Sequence, residues 1–226
     1  MKRTYNTMER SLTTMRKVAE VDFPTRWAPF RLFAFEREEE SQKQSHLEAA
    51  LALVLGDINT NPPLVRIHSQ CATGDIFHSL RCDCHDQLHL ALRAIAEENA
   101  GILLYEYQEG RGIGLMEKLR AYELQDRGFD TIEANLHLGH AADLRTYRLP
   151  VEILRFFGIS SVRLMTNNPD KIKAIASSNI CIAERVSAEV GVSPHAARYF
   201  ATKRDKMGHH LTGSVAETRN LVQYRT

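Results

Sequence analysis

The chain has 226 residues, and its 29 Lys and Arg balance 28 Asp and Glu to a formal net charge of +1. That balance leaves no global field to draw it to nucleic acid or to an anionic membrane. Length alone allows one sizeable core or two tightly packed domains, and four cysteines, two of them in a Cys-x-Cys pair, fit a metal site in a reducing compartment better than a disulfide framework.

The opening stretch MKRTYNTMERSLTTMRKVAEVD carries no apolar segment of the secretory kind, and nothing approaches the ~20 apolar residues of a membrane span. A cytoplasmic protein is therefore expected, with residues 1–16 as a flexible arm. From Val18 onward, alternation broken by prolines reads as a hairpin or edge strands covering a core. The charged run Glu36–Gln44 reads as a solvated loop. His46–Leu55 is ambiguous: L-E-A-A-L-A-L-V-L favours helix, whereas the following Gly-Asp and Asn-Pro-Pro turns favour strand. Leu64–Ile67 is a short strand. It delivers the stretch R-I-H-S-Q-C-A-T-G-D-I-F-H-S-L-R-C-D-C-H-D-Q, residues 66–87, which holds Cys71, Cys82 and Cys84.

A structural zinc site takes four protein ligands, and three cysteines leave one corner open for water. The alternative is three buried thiols in an ordinary core. Cys181, far along the chain, is the spare. Leu88–Asn99 has helical spacing and runs towards Gly101 as a C-cap. A buried strand, Ile102–Tyr105, then feeds Q-E-G-R-G-I-G-L and an amphipathic helix closed by Gly128. Strand, glycine-rich turn and helix can present backbone N–H groups to a phosphate, and Arg111 among the glycines favours an anion. A tight turn without a ligand would use glycines too.

After Gly139 come Asp143 and Arg145, two residues apart. Ser161–Met165 is a buried strand, Thr166–Pro169 a turn with capping chemistry, and Asp170–Ser177 the start of a helix. Lys171 and Lys173 in its first turn oppose the helix dipole, so a compensating anion is expected. Two strand–turn–helix units imply an α/β fold. It is a layered, mixed and partly parallel sheet flanked by helices, with an N-terminal β-rich portion. The basic segment T-K-R-D-K-M-G-H-H follows, residues 17–210 form the main domain, and 211–226 read as a disordered tail.

The motifs R-I-H-S-Q-C-A-T-G-D, L-R-C-D-C-x-x-Q, Q-E-G-R-G-I-G-L, A-A-D-L-R-x-Y, L-M-T-N-N-P-D-K and T-K-R-D-K-M-G-H occur in that order. Over roughly Val18 to His209 the chain thereby resembles the GTP cyclohydrolase II family, which opens the guanine ring to begin riboflavin synthesis. The resemblance implies one zinc ion per chain on Cys71, Cys82 and Cys84. It implies GTP held by Arg66, Ile67, His68, Ser69, Gln70, Gln87, Glu109, Gly110, Arg111, Thr131, Thr166 and Lys171. Asp143 matches the family's proton acceptor, Arg145 its nucleophile towards the α-phosphorus, and Tyr122 an active-site tyrosine. Magnesium on the triphosphate, a homodimer, and release of formate and diphosphate are implied as well.

Zinc fits this chemistry because it lowers the pKa of bound water towards about 7. Tyr122 could equally be a core aromatic on its helix. Arginine stays protonated, which makes a guanidinium nucleophile demanding, so Arg145 also reads as a clamp on the α-phosphate. The chain departs from the family pattern at Gln70, where Glu is frequent, at His85, where Gly is usual, and at His140 and Leu144. No dihydroxybutanone-phosphate synthase segment precedes the motifs, so a monofunctional enzyme is expected. The alternatives are a relative that opens the ring without releasing formate, and a zinc-stabilised nucleotide-binding regulator. A nucleic-acid module is disfavoured by the balanced charge.

Overall fold

The computed structural model describes residues 15–41, 44–191 and 193–211. The strands β1 (Met15–Pro24), β2 (Pro29–Ser41), β3 (Gln44–Leu55), β4 (Leu64–Ser69), β5 (Gly101–Glu106), β6 (Ser161–Met165) and β7 (Cys181–Val186) form one sheet in the order β1-β2-β3-β5-β4-β6-β7. The first three strands and β5 pair antiparallel. β5, β4, β6 and β7 pair parallel, which is the mixed sheet with a β-rich N-terminal portion that the sequence implies.

Strand alternation sends side chains to two covered faces. Ala50, Ala52, Val54, Val65, Ile67, Ile102, Leu104, Val162 and Leu164 meet α5 (Arg148–Phe156) and α6 (Pro169–Ala176) through Ile153, Leu154 and Ile175. Leu53, Leu64 and Leu103 face the other way, against Ala91, Leu92 and Ile95 of α2 (Cys84–Glu98). Each large apolar side chain buried in this way contributes about 1.5–3 kcal/mol. Helices thus cover both faces, and His46–Leu55 resolves as strand. The alanines of that segment fit the close approach of the sheet to α5, and tertiary packing overrides helix propensity.

The charged run Glu36–Gln44 is not a loop: Glu36–Ser41 extends β2, in register with β3. Two of its charges find partners on neighbouring elements. Arg37 is buried and pairs with Glu48 at 2.9 Å and Glu152 at 3.3 Å, and Arg16 reaches Glu36 at 2.7 Å. Met15 and Arg16 likewise belong to β1 and not to an arm. The rest of that segment and residues 212–226 of the expected tail lie outside the described residues. α2 begins four residues before Leu88, and its C-cap is Asn99 in the left-handed region (φ 54°), with Gly101 already in β5. No helix among the described residues is long and apolar enough to cross a membrane.

The chain runs from β4 through α2 to β5 on one side, then returns to place β6 on the other side of β4. The connections therefore diverge at the carboxyl ends of β4 and β6. Such a point in an α/β sheet opens a crevice suited to a ligand.

Candidate active site

Cys71 leaves the end of β4 and starts the four-residue helix α1 (Ala72–Asp75), while Cys82 precedes α2 and Cys84 is its first residue. The Cys71 and Cys82 sulfurs are 3.7 Å apart, and all three Sγ atoms lie within 4.8 Å of one another. Thiolates bound tetrahedrally at ~2.3 Å from zinc would stand ~3.8 Å apart, so the spacing fits such a metal. Charge leads to the same place. Hydrogen bonds from Cys82 and Cys84, helped by Lys118, hold Cys71 well below the ordinary thiol range. Cys82 is pushed up to about 12 and Cys84 well above its usual value, chiefly by their contact with Cys71. The three sulfurs thus oppose one another's ionisation, a repulsion that a cation among them would relieve. Cys181 is exposed and stands outside this group.

Asp75 ties the cysteine loop to β4 and β5. Its carboxylate accepts from Cys71 N at 3.0 Å, from Tyr105 OH at 2.9 Å and from His68 Nε2 at 3.1 Å. Burial lowers the His68 pKa, so the neutral ring donates Nε2–H to Asp75, and its buried Nδ1 has no protein partner.

The glycine-rich turn Glu109–Gly112 leads into α3 (Leu115–Asp126). Gly112 adopts φ +91°, and a Cβ there would stand 3.0 Å from Leu144 Cβ. The turn therefore lies directly on the Asp143–Arg145 segment, where Leu144 N donates to Arg111 O at 2.9 Å. Glu109 is fully engaged inside the protein: Oε2 accepts from Ala72 N at 2.6 Å, and Oε1 from Lys118 Nζ at 2.7 Å. On α3, Tyr122 OH lies 3.4 Å from Thr73 Oγ1, with Arg81 over its ring at 4.8 Å. Burial raises the Tyr122 pKa above the ordinary phenol value.

Beside the thiols lies a cleft walled by Arg66, Arg111, Arg145, Lys171 and Lys203, with His68, Ser69, Gln87, Thr166 and Cys84 among them. Cys84 thus belongs to both centres. Arg66 donates to Gln87 Oε1 at 2.6 Å, and Lys203 Nζ reaches Asp83 at 2.7 Å. Lys171 Nζ donates to Ile67 O at 2.8 Å, while Lys173 pairs with Asp170 at 3.6 Å. The cap of α6 comes from Asn168, whose side chain accepts from Asp170 N at 2.8 Å. Both terminal nitrogens of Arg111 are buried without a hydrogen-bond partner in the protein, so their N–H groups remain available to an anion in the cleft.

Asp143 accepts from Arg145 Nε at 3.0 Å and from Arg145 N at 3.0 Å. Burial opposes its charge, but these bonds hold its carboxyl below the usual range. Burial likewise opposes the charge of Arg145, yet Tyr147 and Asp143 keep it firmly protonated.

Most of the residues expected at the site do converge here. Ile67 turns its side chain into the core and offers only its carbonyl, and Gln70 N is tied to Glu106 O at 2.8 Å. Thr131 opens α4 (Thr131–His137) and lines a neighbouring cleft that shares Tyr199 with the first. Sequence reasoning missed Lys118, Asp75 and Asp83, and also Lys203, although Lys203 sits inside the noted T-K-R-D-K-M-G-H motif.

A family model described as GTP cyclohydrolase II matches residues 16–187. The chain belongs to the GTP cyclohydrolase II family. It is 50% identical over 199 residues to the GTP cyclohydrolase-2 of Enterobacter sp. (strain 638), covering 88% of this chain and 98% of that one. It is 49% identical over 208 residues to the riboflavin biosynthesis protein RibBA of Phocaeicola vulgatus, covering 92% of this chain and 50% of that protein. The chain thus spans about half the length of its RibBA relatives and nearly the whole of the GTP cyclohydrolase-2 proteins of this enzyme family. Among solved structures, RibBX, a two-domain 3,4-dihydroxy-2-butanone 4-phosphate synthase from A. baumannii, aligns with a TM-score of 0.40 at 15% identity over 79% of this chain and 41% of that one. That likeness is too slight to bear on fold or function.

Proposed function

We propose that this chain hydrolyses GTP as a zinc-dependent GTP cyclohydrolase II in riboflavin synthesis, releasing formate and diphosphate and leaving a diaminopyrimidinone ribosyl phosphate. The observation that carries this reading is the shared wall: Cys84 belongs both to the thiol triad and to the cation-lined cleft. A nucleotide lying across that wall reaches both centres at once, with its base towards the sulfurs and its phosphates towards the arginines and lysines.

Cys71, Cys82 and Cys84 would hold zinc, whose chemistry is to make a bound water acidic enough to act as hydroxide near neutral pH. Arg66, Arg111, Arg145 and Lys171 bind the triphosphate, which carries magnesium as its counter-ion. Tyr122, whose hydroxyl meets Thr73 at the edge of the thiol loop, passes a proton on the ring side in this reading. Asp143 fixes the guanidinium plane of Arg145 through Nε. Arg145 then acts as a clamp for charge developing on the α-phosphate, a role that needs a protonated group. Gln87, Thr166, Ser69 and His68 complete the wall, and Thr131 contributes from the adjoining cleft. Residues 17–210 act as the catalytic domain, in a cytoplasmic homodimer.

The decisive experiment incubates the protein with GTP and magnesium and measures formate and diphosphate separately. Both products at equal rates support the reading. Diphosphate with a ring-opened product that keeps its formyl group would assign the chain to a formate-retaining relative. Binding of GTP with no product at all would make it a regulator.

A further inference from the structure

Three thiolates donate much of their charge to a metal ion, so a trithiolate site is a poor Lewis acid unless that charge is drawn back. Groups just outside the ligand shell commonly perform this tuning. One buried cation stands in the right place. Lys118 Nζ lies 3.1 Å from Cys71 Sγ, 2.9 Å from Thr73 Oγ1 and 2.7 Å from Glu109 Oε1. Its three N–H donors meet three acceptors, so none remains for a substrate. The residue is 9% exposed, and a charge in such a setting acts more strongly than one in water. Glu109 is itself anchored by Ala72 N at 2.6 Å, which holds the ammonium against the thiol loop.

We propose that Lys118 is a positioning and charge-tuning residue of the metal site: its N–H···S bond withdraws electron density from Cys71, keeping a metal held by three cysteines acidic enough to activate water. This rests on the metal reading of the cysteines. A merely structural lysine and a tuning lysine differ in the sign of one effect. Removing a structural brace loosens the loop and weakens metal binding. Removing a tuning cation relieves repulsion of the metal and leaves a better donor sulfur, so the metal binds more tightly to the ionised thiols while turnover falls. The more basic sulfur also holds its own proton more strongly, so the gain is read where proton competition is gone.

The test compares wild type with Lys118→Met, Lys118→Arg and the double variant Lys118→Met/Glu109→Gln, which avoids a stranded buried carboxylate. Each is loaded with cobalt to read the sulfur-to-cobalt charge-transfer band. Zinc affinity is measured by chelator competition over a pH series and extrapolated to fully ionised thiols, which removes the proton's competition for Cys71. In Lys118→Met and the double variant the band should move to longer wavelength. Zinc should bind tighter by about tenfold, and formate release should fall by about 10–100-fold. Lys118→Arg should stay near wild type in both band and affinity. A normal wild-type band that fails to move in the double variant, or weaker zinc binding in it, overturns the proposal. A wild-type protein with no thiolate-to-cobalt band overturns the metal reading itself and this inference with it.

Discussion

A Cβ added to Gly74 would lie 2.9 Å from Cys82 Sγ and 3.1 Å from Cys71 Sγ. The backbone of α1 therefore forms the floor of the thiol triad, and hydrogen is the largest substituent that floor admits. Gly74 sits inside a helix at an ordinary φ, where alanine is the better helix former by about 1 kcal/mol. Gly74→Ala should therefore leave the fold and its circular dichroism intact while metal content drops severalfold. Full metal occupancy in a folded Gly74→Ala protein would show that the sulfurs are not the ligands.

Cys82 and Cys181 make a matched comparison. Cys82→Ser replaces a sulfur of the triad and should remove the metal and formate production together. Cys181→Ser changes an exposed thiol at the start of β7 and should retain both. Metal analysis and a formate assay on the two proteins check this, and loss of zinc in Cys181→Ser would count against the triad.

Much of this site is legible in sequence because its spacing is local. Cys71, Cys82 and Cys84 fall in one short stretch, and the glycines around Arg111 announce a turn at a strand end. The parallel strands are legible for the same reason, since β4, β5 and β6 are short apolar runs ending in turn residues. Glu36–Ser41 misleads because Glu36 and Arg37 are paired across strands, with Arg16 and Glu48, so two charges that read as solvated belong to the sheet. Lys118 is hidden differently. On an amphipathic helix a lysine reads as solvent-facing. Its inward turn is dictated by Cys71, 47 positions away, and by a glutamate braced on α1. The bond between Lys203 and Asp83 spans 120 positions, a distance at which composition and periodicity carry no information.

Glu106 gives a pH prediction with a definite sign. Burial, with Glu48 adding to it, raises its pKa from the ordinary 4.5 to about 7, against the pull of Lys171 and Arg145. A folded-state pKa above the unfolded one means that stability is fully present below about pH 4.5 and is lost as pH rises through 7. Glu106→Gln is neutral throughout and keeps an acceptor for Gln108, which donates to Glu106 at 2.7 Å. Relative to wild type it should gain stability as pH rises, reaching on the order of 2 kcal/mol by pH 8. Denaturant melts at pH 5 and pH 8 read this, and a difference independent of pH would contradict the assignment.

The last prediction concerns how Arg145 handles phosphate. Its Nε and Nη2 both donate to Asp143, at 3.0 and 2.5 Å, and Nη1 stands 3.4 Å from Ser69 Oγ, so the guanidinium is locked in plane with Nη1 on the Ser69 side of the cleft. Asp143 favours the charged form of that group, and a nucleophile needs a free lone pair that a protonated guanidinium lacks. A clamp needs only charge and geometry. Arg145→Lys keeps the charge and loses the planar fork, so diphosphate release should fall by about 10²–10³, the scale of one lost oxyanion donor. GTP affinity should change much less, because Arg66, Arg111 and Lys171 still line the cleft. Asp143→Asn should depress the same step by releasing the plane. Rapid-quench mass spectrometry of wild type with GTP distinguishes the two roles directly. The clamp predicts unmodified peptide around Arg145 at every time point, and a guanylyl group found on Arg145 during turnover would establish it as the nucleophile.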